Sequence, residues 1–267
     1  MHPILLKLGP FTLYTYGAML VLAFAVSTWL GARTARQLPQ ELVAITSDQL
    51  LDFTAVLLFG GLFGARFLYV VLRWEEFAAA PQHIIALWEG GLVWYGGFAG
   101  GVLASWLYVR SHRLSWLRVA DQVVPFLALG HAIGRIGCFL NGCCYGKPVD
   151  GCCGVLFPGH QTPVVPTQLL ESLGLFAIYL WLRGRQPGIL RSPGRSFGGY
   201  LLLYGLLRFG IEYLRGDQTA WWMGLTLQQL ISLGMLLVGG TLWFQVSGFK
   251  FLVNPPNKKP ETRNQKR

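Results

Sequence analysis

The sequence predicts an all-α protein embedded in a membrane, and three observations support that prediction. Of the 267 residues, 53% are hydrophobic and only 13% are charged, whereas a soluble domain carries about 25% charged residues. Seven stretches are long and apolar enough to cross the hydrocarbon core as helices, which takes about 20 residues. The 34 glycines and 10 tryptophans are also typical of membrane proteins, in which Gly allows helices to approach closely and Trp lies at the water interface.

The seven predicted transmembrane helices cover residues 11–30, 50–72, 91–110, 119–140, 166–183, 197–215 and 225–246. Glycines between 96 and 101 interrupt the third and Pro125 interrupts the fourth, so a shorter or re-entrant third element is an alternative. We expect the first apolar run to be an uncleaved span, because neither a basic region before it nor a small-residue cleavage site after it is present. The predicted membrane domain comprises residues 1–253, including an outer Cys- and Gly-rich loop at 141–166. Residues 254–267 are expected to form a disordered basic tail.

The distribution of Lys and Arg predicts the orientation in the membrane. Fifteen of the 22 basic residues follow the first, third, fifth and seventh predicted helices, and four lie in the segments on the opposite side. Because positively charged segments stay in the cytoplasm, we expect the N-terminus outside and the C-terminus in the cytoplasm. The net charge of +10 is then a topology signal spread over four segments, and no nucleic-acid interface is expected.

Three arginines lie within predicted helices: Arg66, Arg135 and Arg208. An arginine in a membrane span is costly unless it faces protein or water, so each is a candidate functional residue. At 1.5 Å per residue, all three lie roughly 10 Å below the outer boundary. Guanidiniums at one depth suit the phosphate of an anionic lipid, which Arg binds bidentately. The structural alternative is that Arg208 pairs with Glu212 while the other two reach the interface or bind carbonyls.

The sixth predicted helix carries a polar stripe on one face, formed at spacings of four, four and three residues by Tyr204, Arg208, Glu212 and Arg215. Most other positions of this helix are apolar, so the polar face must contact a cavity or partner helices. A buried network that joins helices is the alternative, and such a network is compatible with an active site.

Six motifs in order along the chain carry a family resemblance. The central motif, at the end of the fourth predicted helix, is Gly134-Arg135-x-Gly137-x-Phe139-x-Asn141-Gly142. The others are His2-Pro3-Ile4 with Leu8-Gly9-Pro10 and Tyr16-Gly17, Gly64-x-Arg66, Trp88-Glu89-Gly90-Gly91 with Gly96-Gly97, Pro166-Thr167-Gln168-Leu169-x-Glu171, and Tyr204-Gly205-x-x-Arg208-x-x-x-Glu212-x-x-Arg215. Each is weak alone, but together they cover most of the chain and resemble the motifs of the prolipoprotein diacylglyceryl transferase family.

The resemblance implies a multi-pass enzyme of the bacterial cytoplasmic membrane. Such an enzyme transfers the diacylglyceryl group of phosphatidylglycerol to the lipobox cysteine in the signal peptide of a preprolipoprotein. Glycerol phosphate leaves and a thioether forms, and neither a cofactor nor a metal is expected. By resemblance, Arg135 and Arg208 hold the lipid phosphate and stabilise the leaving group. The expected lining of the substrate site comprises Tyr16, Arg66, Asn141, Tyr204, Glu212 and Arg215.

The chain departs from the family pattern at three positions. Tyr95 stands where the family usually has a His that is a proposed base for the thiol, Cys138 replaces an Asn, and Cys143 replaces a Glu. A tyrosine is a poor base at neutral pH. His131, one turn before Arg135 on the same helical face, is the alternative catalytic base, and a helix-packing histidine is the other interpretation of that residue.

All five cysteines lie within sixteen residues: Cys138, Cys143, Cys144, Cys152 and Cys153. We expect one or two disulfides among the last four, which lie in the predicted outer loop where oxidation is permitted, with Cys138 free. Their connectivity does not follow from sequence. Two alternatives stay open: a metal or redox site, although adjacent Cys pairs differ from the usual Cys-x-x-Cys pattern, and a direct part in transfer.

Two other functions are compatible with these motifs. A divergent homologue would keep the lipid site and perform another lipid-headgroup transfer, which the loss of the family His and Asn favours. A membrane transporter, or a protein that handles thiols or metals, would use the cysteine cluster instead. Inverted repeats favour transport, and none is evident in the sequence. The Arg, Tyr and Glu set favours the transferase or its divergent homologue.

Overall fold

The computed structural model of this chain is a bundle of α-helices preceded by a short β-hairpin. It describes residues 4–8, 11–86, 90–149, 154–158, 161–186, 188–216 and 218–253. The helices are α1 (Thr15–Gln37), α2 (Ser47–Leu72), α3 (Trp74–Ala79), α4 (Trp94–Ser111), α5 (Trp116–Asn141), α6 (Thr167–Arg185), α7 (Arg195–Leu214) and α8 (Leu227–Val253). All except α3 are 18 residues or longer.

Each of the seven predicted helical segments overlaps one of these long helices, so the helical character of the fold is confirmed. The hairpin is a departure from the all-α prediction: strand β1 (Ile4–Leu8) pairs antiparallel with β2 (Phe11–Tyr14). The first helix, expected from residue 11 to 30, therefore begins at Thr15, because its first four residues belong to β2. It also continues seven residues further, to Gln37.

The surface of the bundle is that expected of a membrane protein. Among the described residues, four helical segments are long and apolar enough to cross a membrane: Thr15–Gln37, Gln40–Leu72, Trp116–Asn141 and Leu227–Phe244. Large apolar side chains are exposed on them, including Phe63 at 63%, Phe67 at 70% and Leu237 at 72%. Such surfaces are rare on soluble monomers and mark contact with lipid or protein partners. The helices are therefore consistent with a membrane protein.

Helices α2 and α4 pack at very short distance because glycines line both sides of their contact. A Cβ added to Gly64 of α2 would lie 2.8 Å from the Gly100 Cα of α4, and one added to Gly100 would lie 2.9 Å from the Gly64 Cα. Backbones approach this closely only where side chains are absent. The glycines that interrupt the third predicted segment are thus packing residues, and α4 is a continuous helix.

The helix α5 is central, since it contacts α1 on one side and α6 and α7 on another. Asp121, near its start, caps the N-terminus of α7: its carboxylate accepts hydrogen bonds from Gly194 N at 2.5 Å and Phe197 N at 2.8 Å. The α7 helix has no side-chain cap of its own, so this carboxylate supplies the acceptor that the free N–H groups need. It also fixes α7 against α5, and these two helices carry Arg208 and Arg135.

We expect Gly64→Ala to destabilise the protein, because the added methyl group would overlap the backbone of Gly100. Overpacking of this kind costs about 1–3 kcal/mol. Thermal unfolding in detergent should show a lower melting temperature. Gly234→Ala is the matched control, because among the described residues no atom outside its own helix lies within 4 Å of a Cβ at Gly234. Equal melting temperatures for the two variants would contradict the close α2–α4 contact.

Candidate active site

A buried polar cluster lies where α5, α6 and α7 meet, with the carboxylate of Glu171 at its centre. Glu171 Oε1 lies 3.0 Å from Arg135 Nη2 and accepts a hydrogen bond of 3.1 Å from the Tyr204 hydroxyl. His131 Nε2 lies 3.9 Å from the same oxygen. His131 and Arg135 are four residues apart on α5, so they project from one helical face. Only 2% of the Glu171 side chain is exposed, and its charge is therefore balanced within the protein.

The second arginine of the bundle, Arg208, lies one turn beyond Tyr204 on α7. Its Nη2 lies 2.8 Å from Glu212 Oε2, and Glu212 Oε1 accepts a hydrogen bond of 2.7 Å from the Thr226 hydroxyl. The pairing of Arg208 with Glu212, one of the two sequence-based interpretations, is therefore present. The guanidiniums of Arg208 and Arg135 both act electrostatically on the His131 imidazole and the Tyr204 hydroxyl, so they belong to one electrostatic neighbourhood.

Each of these guanidiniums keeps a donor that the rest of the cluster does not use. Arg135 Nε and Arg208 Nη1 are buried, and within the described part of the chain neither has a hydrogen-bond partner. A buried N–H without a partner costs about 1–3 kcal/mol. An anion that accepts hydrogen bonds from both arginines would recover that energy, and phosphate and carboxylate both match the guanidinium geometry.

An apolar cavity of about 590 Å³ opens beside Arg135, between α1, α2 and α5. Its polar groups include Arg135, His131 and Tyr16, and Trp94 reaches it from the first turn of α4. Most of its wall is apolar and includes Leu20, Phe24, Phe53, Leu57, Phe126 and Leu127. A cavity with a long apolar wall and a few polar groups fits a ligand with an apolar body and a charged head.

The family of the chain follows from its match to known proteins. The sequence profile described as prolipoprotein diacylglyceryl transferase matches residues 3–245. The chain belongs to the prolipoprotein diacylglyceryl transferase family. Relatives called phosphatidylglycerol–prolipoprotein diacylglyceryl transferase include one from Cupriavidus pinatubonensis, 34% identical over 89% of this chain and 88% of its own length. One from Chromohalobacter salexigens is 34% identical over 89% of both chains, and one from Bordetella bronchiseptica is 32% identical over 96% and 97%.

The predicted family and the prediction of a transferase are thus confirmed. For Arg66, the structure shows the carbonyl-bound arrangement that was the structural alternative in the sequence interpretation. Arg66 Nε donates to Ile84 O at 2.9 Å, its Nη1 to Gly90 O at 2.5 Å and Gly91 O at 3.2 Å, and its Nη2 to His83 O. Backbone carbonyls occupy these donors, so Arg66 joins α2 to the segment before α4. In the described structure it does not contact the Glu171 cluster.

Tyr95, the residue at the position of the family His, is 56% exposed and is not among the residues that line the cavity. Its ring packs edge-to-face against Trp94, with the two ring centroids 5.4 Å apart. Trp94, its neighbour in the first turn of α4, lines the cavity instead. Among the described residues of this transferase, His131 is the imidazole in the wall of the cavity.

Three further predicted site residues lie around the C-terminal end of α5. Tyr16 lines the cavity from α1, and its ring would lie 3.4 Å from a Cβ added to Gly137. Asn141 is the last residue of α5. Arg215 directly follows α7 and forms a β-bridge with Gly146, which connects the loop after α5 to the end of α7.

Glu171 is the site residue that the sequence interpretation missed. It belongs to the fifth motif and lies within the predicted span 166–183. Glu171 could have been identified by the criterion that was applied to the arginines: an ionisable side chain within a membrane span is a functional candidate by default. Two buried positive charges in neighbouring spans require negative partners, and Glu171 and Glu212 are the carboxylates of the last three predicted spans.

Three of the five cysteines lie close together in the structure. Cys138, Cys143 and Cys144 are free thiols, and their sulfur atoms lie within 4.8 Å of one another. Cys143 and Cys144 therefore form no disulfide in the described structure, in contrast to the expectation for them. Cys152 and Cys153 lie outside the described residues, so whether either of them forms a disulfide stays a prediction.

We expect Glu171→Gln to destabilise the protein, because it leaves the buried Arg135 guanidinium without a counter-charge. Breaking a buried pair in this way costs on the order of 3–5 kcal/mol, which circular dichroism melts in detergent measure as a lower melting temperature. Glu76→Gln is the matched control: its pair with Arg73 spans 3.2 Å, but the two side chains are 63% and 53% exposed. Exposed pairs contribute about 0–1 kcal/mol. If both variants melted at the wild-type temperature, Glu171 would not be the centre of the cluster.

Proposed function

We propose that this protein transfers the diacylglyceryl group of phosphatidylglycerol to the thiol of the lipobox cysteine in preprolipoprotein signal peptides and releases glycerol phosphate. The observation that carries the proposal is a pair of buried arginines with unused donors, Arg135 Nε and Arg208 Nη1, of which Arg135 lies at the wall of an apolar cavity. The curated relatives with 34% identity over 89% of the chain bear the name of this activity.

The lipid binds with its acyl portion in the apolar cavity and its phosphate at the arginines. Burial of the acyl chains contributes about 0.8 kcal/mol per CH₂ group, so the apolar wall supplies affinity and the arginines supply orientation. Glu171 and Glu212 hold the two guanidiniums by ion pairs of 3.0 Å and 2.8 Å. Fixed guanidiniums need no reorganisation during the reaction, which is the condition for strong electrostatic catalysis.

The reaction is a displacement at the glycerol carbon that carries the phosphate ester. The substrate thiolate attacks this carbon, a C–S bond forms, and the C–O bond to the phosphate breaks. Negative charge on the phosphate increases as glycerol phosphate leaves, and Arg135 and Arg208 stabilise it. Confining both substrates to one membrane-embedded site supplies much of the remaining acceleration.

We infer that His131 accepts the proton of the substrate thiol. It lies in the cavity wall next to Arg135, whereas Tyr95 is 56% exposed. Glu171, whose Oε1 lies 3.9 Å from His131 Nε2, stabilises the imidazolium that this transfer forms. Tyr16, Asn141 and Arg215 complete the outer end of the site, and Tyr204 holds Glu171 from within through its hydroxyl.

We also propose seven spans in the bacterial cytoplasmic membrane, with the N-terminus outside and the C-terminus in the cytoplasm. Seven helices of at least 18 residues and the excess of Lys and Arg on one side support this topology. Residues 1–253 then form the membrane domain, residues 141–166 an outer loop, and residues 254–267 a basic cytoplasmic tail. The Arg135 end of α5 faces outwards, where the signal-peptide cysteine arrives.

Arg135→Ala and Arg208→Ala should each lower transfer at least about 100-fold, since removing one donor to a developing anion costs a factor of this size. The assay uses phosphatidylglycerol vesicles and a lipobox peptide, with the lipidated product quantified by mass spectrometry. Neither variant should rescue a bacterial strain depleted of its own transferase, whereas wild type should. Arg73→Ala removes an exposed arginine and should leave the rate unchanged. Full activity of both buried-arginine variants would refute the phosphate site.

His131→Ala should transfer more slowly and lose part of the pH dependence of the rate. In wild type the rate falls at acidic pH because a protonated imidazole cannot accept the thiol proton. The measurement is a pH–rate profile of the wild-type protein and the variant under the same conditions. His112→Ala, at the end of α4, is the control and should keep the wild-type profile. An unchanged profile in His131→Ala would eliminate this residue as the base.

A further inference from the structure

Three thiols at the end of α5 form a compact group, which we call the thiol cluster: Cys138, Cys143 and Cys144. Their sulfur atoms all lie within 4.8 Å of one another. Three sulfurs that bind one zinc ion at about 2.3 Å lie about 3.8 Å apart. Each sulfur–sulfur distance therefore needs to shorten by at most about 1 Å for the thiol cluster to surround an ion of this size.

The backbone around the thiol cluster is built to hold the sulfurs together. The N–H of Cys143 donates to Cys138 O at 3.1 Å, and the first turn of α6 fixes the next two carbonyls. Thr167 Oγ1 donates to Cys144 O at 2.8 Å, and Gln168 Nε2 donates to Cys143 O at 2.6 Å. Cys144 adopts a left-handed conformation, with φ 64°. Such a conformation costs roughly 1–2 kcal/mol for a residue with a side chain, and strain of this kind concentrates at functional sites.

The thiol cluster belongs to the wall of the lipid cavity. Cys138 and Cys144 line this cavity together with Arg135 and His131, and Arg135 lies one helical turn before Cys138. An ion bound to these sulfurs would therefore face the proposed phosphate site. Three thiolates around a divalent cation carry a net charge of about −1. The guanidiniums of Arg135 and Arg215 act electrostatically on the Cys144 sulfur and would balance that charge.

We propose that the thiol cluster binds a zinc ion through three thiolates and that the fourth position of the ion, open to the cavity, receives the acceptor cysteine of the lipoprotein substrate. Structural zinc sites have four protein ligands, whereas catalytic sites have three and keep one position open. The thiol cluster offers three. The role of the ion in transfer rests on the proposed function, but the binding of the ion does not.

Zinc supplies the activation that the substrate thiol needs. The acceptor sulfur binds the ion as a thiolate, and its proton passes to His131. The thiolate attacks the glycerol carbon of phosphatidylglycerol, a C–S bond forms and the C–O bond breaks. The electron pair of that bond stays on the departing oxygen, and glycerol phosphate leaves with the proton from His131. No further reactant is required, and the neutral thioether product is a weaker ligand that leaves the ion.

Titration of the reduced full-length protein with Co²⁺ in detergent tests the binding site. We expect one Co²⁺ per chain, with sulfur-to-cobalt charge-transfer absorption that Zn²⁺ abolishes. Cys138→Ser, Cys143→Ser and Cys144→Ser should each weaken binding at least about tenfold. The matched control is the double variant Cys152→Ser/Cys153→Ser, which removes neighbouring cysteines and should bind like wild type.

Three results would overturn the proposed zinc site. They are the absence of Co²⁺ binding by wild type, loss of binding in the Cys152→Ser/Cys153→Ser control, and a disulfide between two sulfurs of the thiol cluster in protein analysed directly from cells.

The role of the ion is tested by transfer assays with zinc-free and zinc-loaded protein. Zinc-free protein should transfer at least about tenfold more slowly, and added Zn²⁺ should restore the rate. A lipobox peptide should change the absorption of the Co²⁺-loaded protein, and the same peptide with Ser in place of its Cys should not. Equal rates with and without zinc would overturn the role of the ion and leave the proposed function standing. If neither form transferred, the proposed function would fail, while the cobalt spectra would still report on the site.

Discussion

A carboxylate that is buried in an apolar helix bundle must be neutralised inside the protein, and the rest of this site depends on how Glu171 meets that requirement. Its Oε1 lies 3.0 Å from Arg135 Nη2 and accepts a hydrogen bond from the Tyr204 hydroxyl. One side chain of α6 therefore fixes the functional side chains of both α5 and α7. The same ion pair leaves Arg135 Nε without a partner among the described residues, so a contact that stabilises the bundle also leaves a buried donor unused, and in the proposed function an anion accepts from it.

A second contact, near the other end of α5, also fixes α7 against α5. Asp121 accepts hydrogen bonds from two backbone N–H groups at the start of α7. Two contacts, one near each end of α5, thus define the position of α7 relative to α5. Arg135 and Arg208 hold their relative position because both helices are fixed. A preorganised pair of guanidiniums stabilises a developing phosphate charge more effectively than a flexible pair in water.

The departures of this chain from the family pattern concern one region of the cavity. Tyr95, in place of the family His, is not among the described residues that line the cavity, and Trp94 lines it instead. Cys138 and Cys143, in place of the family Asn and Glu, join Cys144 in a group of three sulfurs. The family His, a proposed base, is thus absent from the cavity wall. Three thiols, which are soft metal ligands, lie beside Arg135. The two arginines that we propose to bind the lipid phosphate are retained, so in the proposed mechanism the differences bear on activation of the thiol.

By itself, the sequence determined the helical class, the approximate position of seven long helices and the family, because hydropathy and motif spacing are local properties. It also indicated Arg135 and Arg208, since a charge within a span is informative wherever its partner lies. The sequence offered Glu212, four residues further on, as a partner of Arg208, but it did not indicate the partner of Arg135 or which carbonyls bind Arg66. Glu171 is 36 residues from Arg135 in the sequence, and Arg66 is bound by carbonyls of the segment before α4. Only tertiary packing decides which carboxylates, carbonyls and sulfurs reach one another, because those contacts depend on the relative placement of helices that are distant along the chain.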